Sequence, residues 1–72
     1  MSKAEKREQK IRENTRNVSL DDFEWLICKY GSIKMGGNHA VAIINGRIYP
    51  YPRKNPVQQP YVLGILKIID RQ

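Results

Sequence analysis

The sequence predicts an α+β domain in which two helices cover one face of a small three-stranded antiparallel sheet. Three observations favour this fold: a helical apolar pattern over residues 20–30, a run of strand residues interrupted by turns over 32–51, and an apolar helix that starts with proline near residue 59. At 72 residues the chain has room for one small domain and not for a second catalytic domain.

The first helix of this domain is expected at residues 20–30. Ser19 is a good N-cap, because its hydroxyl can accept a hydrogen bond from a free N–H of the first turn, and Asp22 follows three residues later. Gly31 is expected to end the helix in the left-handed conformation. Apolar residues recur between these ends at helical spacing, which predicts one buried face: Leu20, Phe23, Ile27 and Tyr30.

Three strands are expected next, at residues 32–35, 38–44 and 47–51. Asn45-Gly46 predicts a tight hairpin between the second and third strands, because a two-residue turn of this type needs positive φ at both positions. If Ile44 faces Arg47, the side chains divide between two faces of the sheet. One face is predicted to carry His39, Val41, Ile43, Ile48, Pro50 and Pro52, and the other Ala40, Ala42, Ile44, Arg47, Tyr49 and Tyr51.

The last helix is expected to begin at Gln59-Pro60. Proline suits the first helical position, because the N–H that it lacks would have no partner there. The following residues are apolar on most sides of the helix, so we expect deep packing against the rest of the domain.

Residues 1–17 differ in composition from residues 18–72, which are expected to hold the fold. Only three of the 29 apolar side chains lie in the first segment, which has six bases and three acids. Without an apolar stripe to dock, it is expected to be a flexible basic arm or a frayed helix. Such an arm either assists RNA binding or only keeps the protein in solution.

The charge balance favours a polyanionic partner. Thirteen Lys and Arg against seven Asp and Glu give a net charge of +6, which is typical of proteins that bind nucleic acid. The single cysteine, Cys28, cannot form an intrachain disulfide, and one histidine cannot supply the His/Cys cluster of a zinc site. No apolar stretch approaches the roughly 20 residues that span a bilayer. We therefore expect a cytoplasmic protein with no metal, no cofactor and no membrane contact.

His39 is the candidate catalytic residue. It opens the middle strand after Gly36 and Gly37, so an imidazole, free backbone N–H groups and the cations Arg53 and Lys54 are expected near one another. This set suits cleavage of RNA through its own 2′-hydroxyl, because one base removes a proton while cations stabilise the crowded phosphate.

Lys34 and Arg47, at the margin of the sheet, are further candidates for contacts with the RNA backbone. Spacing alone leaves simpler interpretations open for these positions. The histidine can be a strand residue that only bonds the backbone, the basic pair after the third strand a solvated loop, and the two glycines an ordinary turn.

Four motifs occur here in the order found in one known family: Gly37-Asn38-His39 before an alternating strand, Asn45-Gly46-Arg47, a strand ending in Pro52-Arg53-Lys54, and Ile65-Leu66-Lys67 in a helix that starts with proline. Over about residues 19–70 the chain resembles the HicA family of type II toxins. Members of that family have a fold similar to double-stranded-RNA-binding domains, cleave mRNA independently of ribosomes, and are silenced by a HicB antitoxin.

The resemblance implies that His39 is the catalytic histidine of a metal-independent endoribonuclease, with Asn38 in its RNA-binding site. Single-stranded mRNA and a HicB-type antitoxin would be its partners. Because the His39 face also carries Val41, Ile43 and Ile48, we expect it to be covered by a second copy of the chain, by the antitoxin or by the N-terminal arm. Two other functions remain open: a non-catalytic RNA-binding module of the same fold, and a small domain that binds a protein partner through this face.

Overall fold

A computed structural model describes residues 2–71. Met1, in the predicted arm, and Gln72, in the predicted domain, lie outside the described residues. It contains helices α1 (Lys3–Glu13), α2 (Leu20–Tyr30) and α3 (Gln59–Asp70), and strands β1 (Ser32–Gly36), β2 (His39–Ile44) and β3 (Arg47–Pro52). The strands form an antiparallel sheet in the order β1-β2-β3. The predicted fold class is therefore confirmed, and the strand ends differ from the expected ones by one residue. No helix among residues 2–71 has the length and apolar character that crossing a membrane requires.

Both ends of α2 depend on the residues expected there. The Asp22 N–H donates to the Ser19 Oγ over 3.1 Å, which caps the first turn. At the other end Gly31 has φ −163°, which is extended backbone, so the prediction of a left-handed residue there is wrong. Glycine is required there for a different reason, since a Cβ at this position would overlap the carbonyl of Ile43 in the sheet.

The register of β2 and β3 is the one predicted from Asn45-Gly46. Asn45 and Gly46 have φ values of 51° and 79°, and Ile44 is opposite Arg47. On one face of the sheet four side chains are buried under the helices, and each is 1% exposed: Ala40, Ala42, Ile44 and Tyr51. The other face is not covered by the helices, as predicted.

The hydrophobic core lies between the buried face of the sheet and helices α2 and α3. It includes five helix residues with no exposed surface: Phe23, Leu26, Ile27, Val62 and Ile65. The rings of Phe23 and Tyr51 are nearly perpendicular, with 4.9 Å between their centroids. Gly64 of α3 leaves space for the phenol of Tyr49, which a Cβ at that position would overlap. Tyr49 and Tyr51 therefore pack toward the helices.

Helix α1 is held to the domain mainly by charged side chains. Arg7 Nε donates to Asp22 Oδ1 of α2 over 2.9 Å, and Arg12 Nη2 donates to Asp70 Oδ1 of α3 over 2.8 Å. Ile11 lies between these contacts and is 3% exposed. From the sequence, no docked face is predicted for this segment. The structure differs because one apolar residue is buried among ion pairs whose partners are distant in the sequence.

Glu8 forms the centre of the contact between α1 and α2. Its carboxylate accepts hydrogen bonds from Lys29 Nζ over 2.8 Å and from the Tyr30 hydroxyl over 2.7 Å. Arg12, one turn along α1, donates to it as well, over 3.1 Å. Burial acts to raise the pKa of the Glu8 carboxyl, but these three donors outweigh it and hold the pKa below its usual value.

Candidate functional site

His39 is the first residue of the central strand β2 and lies on the face of the sheet that the helices leave uncovered. Its neighbours across the sheet are Gly36 on β1 and Pro52 on β3. The histidine is exposed, and Gly36 has no side chain that could cover the imidazole from the β1 side. The register therefore presents an accessible ring at the margin of the sheet, as the sequence predicted.

Gly37 and Asn38 form the two-residue turn that precedes His39. Gly37 has φ 65°, in the left-handed region that glycine adopts most readily. A Cβ at Gly37 would meet nothing within 4 Å, so the backbone conformation alone favours glycine here. The Asn38 carbonyl accepts a hydrogen bond from the Arg53 N–H over 2.9 Å. This bond holds the backbone after β3 beside the turn.

The side chain of Arg53, in contrast, is paired with Glu24 of α2. Its Nε donates to Glu24 Oε2 over 3.0 Å and its Nη2 donates to Oε1 over 3.0 Å. Glu24 also accepts from the hydroxyl of Tyr51, over 2.7 Å, on the helix-covered side of the sheet. The structure therefore brings the backbone of Arg53 to the His39 turn but directs its guanidinium toward α2.

The Glu24 pair was not predicted, because its partners are 29 residues apart and no local pattern links them. Burial acts to raise the pKa of Glu24, but the hydrogen bonds from Arg53 and Tyr51, with the Arg53 charge, lower it below its usual value. Burial, and then the hydrogen bond to Glu24, raise the pKa of Tyr51 well above its usual value. Glu24 is therefore an ionised acceptor at neutral pH.

Lys34 is the candidate cation that shares a face with His39. It is opposite Val41 and two residues from Gly36, which makes it the diagonal neighbour of His39 across the β1–β2 pair. Diagonal neighbours lie about 7–8 Å apart, within reach of a lysine side chain. Lys34 is exposed, and no ion pair within residues 2–71 includes it. Its position suits a phosphate held at the imidazole.

The other two predicted cations lie at different places. Lys54 is exposed in the turn after β3, where its N–H donates to the Pro52 carbonyl over 3.0 Å. Arg47 is opposite Ile44, at the other end of β2 from His39. At about 3.3 Å per residue this separation is roughly 17 Å, so Arg47 does not belong to the His39 site.

Apart from Lys34 and Ser32, the rest of the uncovered sheet face is apolar. Val41 and Ile43 are half-buried, and Ile48 is 69% exposed. The arm does not cover this face, because α1 packs on α2 and α3. The prediction that the N-terminal arm covers this face is therefore wrong.

No group of three His, Cys, Asp or Glu residues is placed to share a metal ion within residues 2–71. The residues gathered at the site are instead His39, the Gly37-Asn38 turn, Lys34 and the backbone of the loop after β3. No protein-family model, curated protein or solved structure matches this chain.

Proposed function

We propose that this protein is the toxin of a type II toxin–antitoxin pair and a metal-independent endoribonuclease that cleaves mRNA with His39. The main support is the exposed imidazole at the start of β2, directly after the Gly37-Asn38 turn. The turn and histidine carry the resemblance to the HicA family, and the net charge of +6 suits an RNA substrate.

The chemistry requires one proton acceptor near a bound ribose. His39 takes the proton of the 2′-hydroxyl, and the freed oxygen attacks the adjacent phosphorus. The bond from phosphorus to the 5′-oxygen then breaks, and that oxygen takes a proton from the imidazolium. The products are a 2′,3′-cyclic phosphate and a 5′-hydroxyl. General acid–base catalysis of this kind is worth about 10²- to 10⁴-fold in rate.

Cations near the imidazole stabilise the charge that builds up on the phosphate. Lys34 and Lys54 are proposed for this role, since neither has an acidic partner within residues 2–71. The N–H groups of Gly37 and Asn38 are proposed to contact the RNA backbone, whereas the Gly36 N–H faces the His39 carbonyl across the β1–β2 pair. Arg53 would join them only after its guanidinium leaves Glu24.

The proposed antitoxin inhibits by covering the site. A HicB-type partner that packs on Val41, Ile43 and Ile48 would bury the apolar face and block His39 without changing its chemistry. A second copy of the chain is the other proposed occupant of the same face.

Expression in bacterial cells from a tightly controlled promoter tests this proposal. The wild-type protein should arrest growth and deplete mRNA, and His39→Ala should do neither. Lys67→Gln, an exposed change on α3 far from the proposed chemistry, is the control and should act like wild type. Equal growth arrest and equal mRNA decay by His39→Ala would overturn the catalytic assignment.

A non-catalytic RNA-binding module is the second candidate function. The contact between Arg53 and Glu24 favours it, because it withdraws one of the two cations predicted beside the imidazole. Such a module would bind RNA with an affinity that falls with salt, by a slope of about −0.7 for each single-strand phosphate contact. His39→Ala would leave this affinity unchanged, and labelled RNA would stay intact.

A further inference from the structure

Helix α1 separates its charges between two sides. Arg7, Glu8 and Arg12 face α2 and α3, where each is paired with a charged side chain. Lys3, Lys6 and Lys10 are exposed instead, and none of them takes part in an ion pair within residues 2–71. Steps of three and four residues put these lysines on one flank of the helix. At 1.5 Å per residue the lysine stripe is about 10 Å long.

A cleft of about 430 Å³, lined by both polar and apolar side chains, continues the lysine stripe toward the loop between β3 and α3. Its lining includes Lys10 and three amides, Asn14, Asn17 and Asn55. The Asn55 Oδ1 accepts from the Leu20 N–H over 2.9 Å, which leaves the amide NH₂ group as a donor for a ligand. Asp22, the acid in this cleft, is paired with Arg7. The cleft therefore combines one cation and the Asn55 NH₂ donor with amide groups and the apolar side chains of Ile11, Val18 and Pro56.

The loop that closes this cleft also reaches the His39 site. Asn55 directly follows Lys54, and the Arg53 N–H is bonded to the Asn38 carbonyl beside His39. The loop of residues 53–56 therefore connects the cleft to the start of β2, past a groove lined by Asp21, Glu24 and Arg53 in which Arg53 is paired with Glu24. A single extended strand of nucleic acid can follow such a series of contacts.

We propose that α1 is a second RNA-binding element, whose Lys3, Lys6 and Lys10 contact successive phosphates of a single strand that passes through the cleft to His39. Lysine ammonium groups bind phosphates as point charges without reading sequence, so this element would add affinity and orientation for any single-stranded RNA. The ion pairs that dock α1 hold the stripe in place before RNA arrives, which reduces the entropy lost on binding. The inference rests on the proposed function, because it assumes an RNA ligand.

Salt-dependent binding of a labelled oligouridylate of about 16 nucleotides tests this proposal. The His39→Ala background is used so that the RNA stays intact. Lys6→Gln/Lys10→Gln is compared with Lys67→Gln/Arg71→Gln, which removes the same charge from the exposed end of α3. Loss of two phosphate contacts should flatten the slope of log K against log salt by about 1.4 in the first variant only. Equal flattening in the two variants, or none in the first, would overturn the proposal.

A change of opposite sign strengthens this test. Glu13 is exposed one turn beyond Lys10 and has no ion pair within residues 2–71, so it repels a phosphate bound there. Glu13→Gln should therefore raise the affinity for the same oligonucleotide, and an unchanged affinity would contradict the binding of RNA along the lysine stripe. Cleavage measured with His39 intact separates the two proposals. If His39-dependent cleavage occurs but Lys6→Gln/Lys10→Gln leaves the salt slope unchanged, this inference alone is overturned. If that variant flattens the slope but the wild-type protein does not cleave RNA, the nuclease proposal alone is overturned.

Discussion

Replacing Glu24 with Gln should lower the free energy of unfolding by about 2 kcal/mol. The Glu24 carboxylate accepts from the Tyr51 hydroxyl, whose residue is 1% exposed, and a hydrogen bond to a charged acceptor contributes about 1.5–3 kcal/mol. The Arg53 side chain is open to solvent, so screening makes its ion pair with Glu24 the smaller contribution. A Gln amide retains one neutral acceptor for these donors, which recovers part of the loss.

The effect of Glu24→Gln should depend on pH in a defined direction. Because the pKa of Glu24 is lowered in the folded protein, its contribution is present above the unfolded value of about 4.5. It is lost as pH falls through the folded pKa, where the carboxyl takes up a proton. The stability difference between wild type and variant should therefore be full at pH 7 and shrink in acid.

Urea and thermal unfolding followed by circular dichroism measure this difference. For a domain of this size, about 2 kcal/mol corresponds to a Tm lower by roughly 10 °C. Tyr51→Phe, which keeps the ring, should cost about 1–2 kcal/mol, and Arg53→Gln should cost less than Tyr51→Phe. A Glu24→Gln variant as stable as wild type at pH 7, or a larger loss in Arg53→Gln than in Tyr51→Phe, would contradict the Tyr51–Glu24 hydrogen bond as the main contribution.

Three further changes test other parts of the structure. Gly37→Ala should cost about 1–2 kcal/mol in urea unfolding, because φ 65° is unfavourable for alanine while the space around it is open; a neutral result would contradict the turn geometry. Gly64→Ala should cost about 1–3 kcal/mol, because the new methyl overlaps the Tyr49 phenol, and thermal unfolding at the wild-type temperature would rule out that contact. Lys34→Gln should slow RNA cleavage at least tenfold with an unchanged circular dichroism spectrum, whereas wild-type rates would exclude Lys34 from the site.

Features set by neighbouring residues could be predicted from the sequence. Asn45-Gly46 determined the register of β2 and β3, because the turn alone decides which residues are opposed. That register then gave the exposed position of His39. The Ser19 cap located the start of α2 for the same local reason.

Contacts between distant charges could not be predicted in this way. Arg12 and Asp70 are 58 residues apart, and Arg53 and Glu24 are 29 apart, so no periodic pattern links either pair. The docking of α1 and the orientation of the Arg53 guanidinium both depend on such pairs. Gly31 shows a related limit, since its close approach to the carbonyl of Ile43 follows from packing that a helix-end pattern does not contain.

The rate of RNA cleavage by the purified protein in EDTA tests the role of His39 most directly. Labelled RNA should be cut by the wild-type protein to products with 2′,3′-cyclic phosphate ends. His39→Ala, once circular dichroism shows that it is folded, should be slower by about 10²-fold or more. Cleavage by His39→Ala at the wild-type rate, or intact RNA with the wild-type protein, would contradict the account.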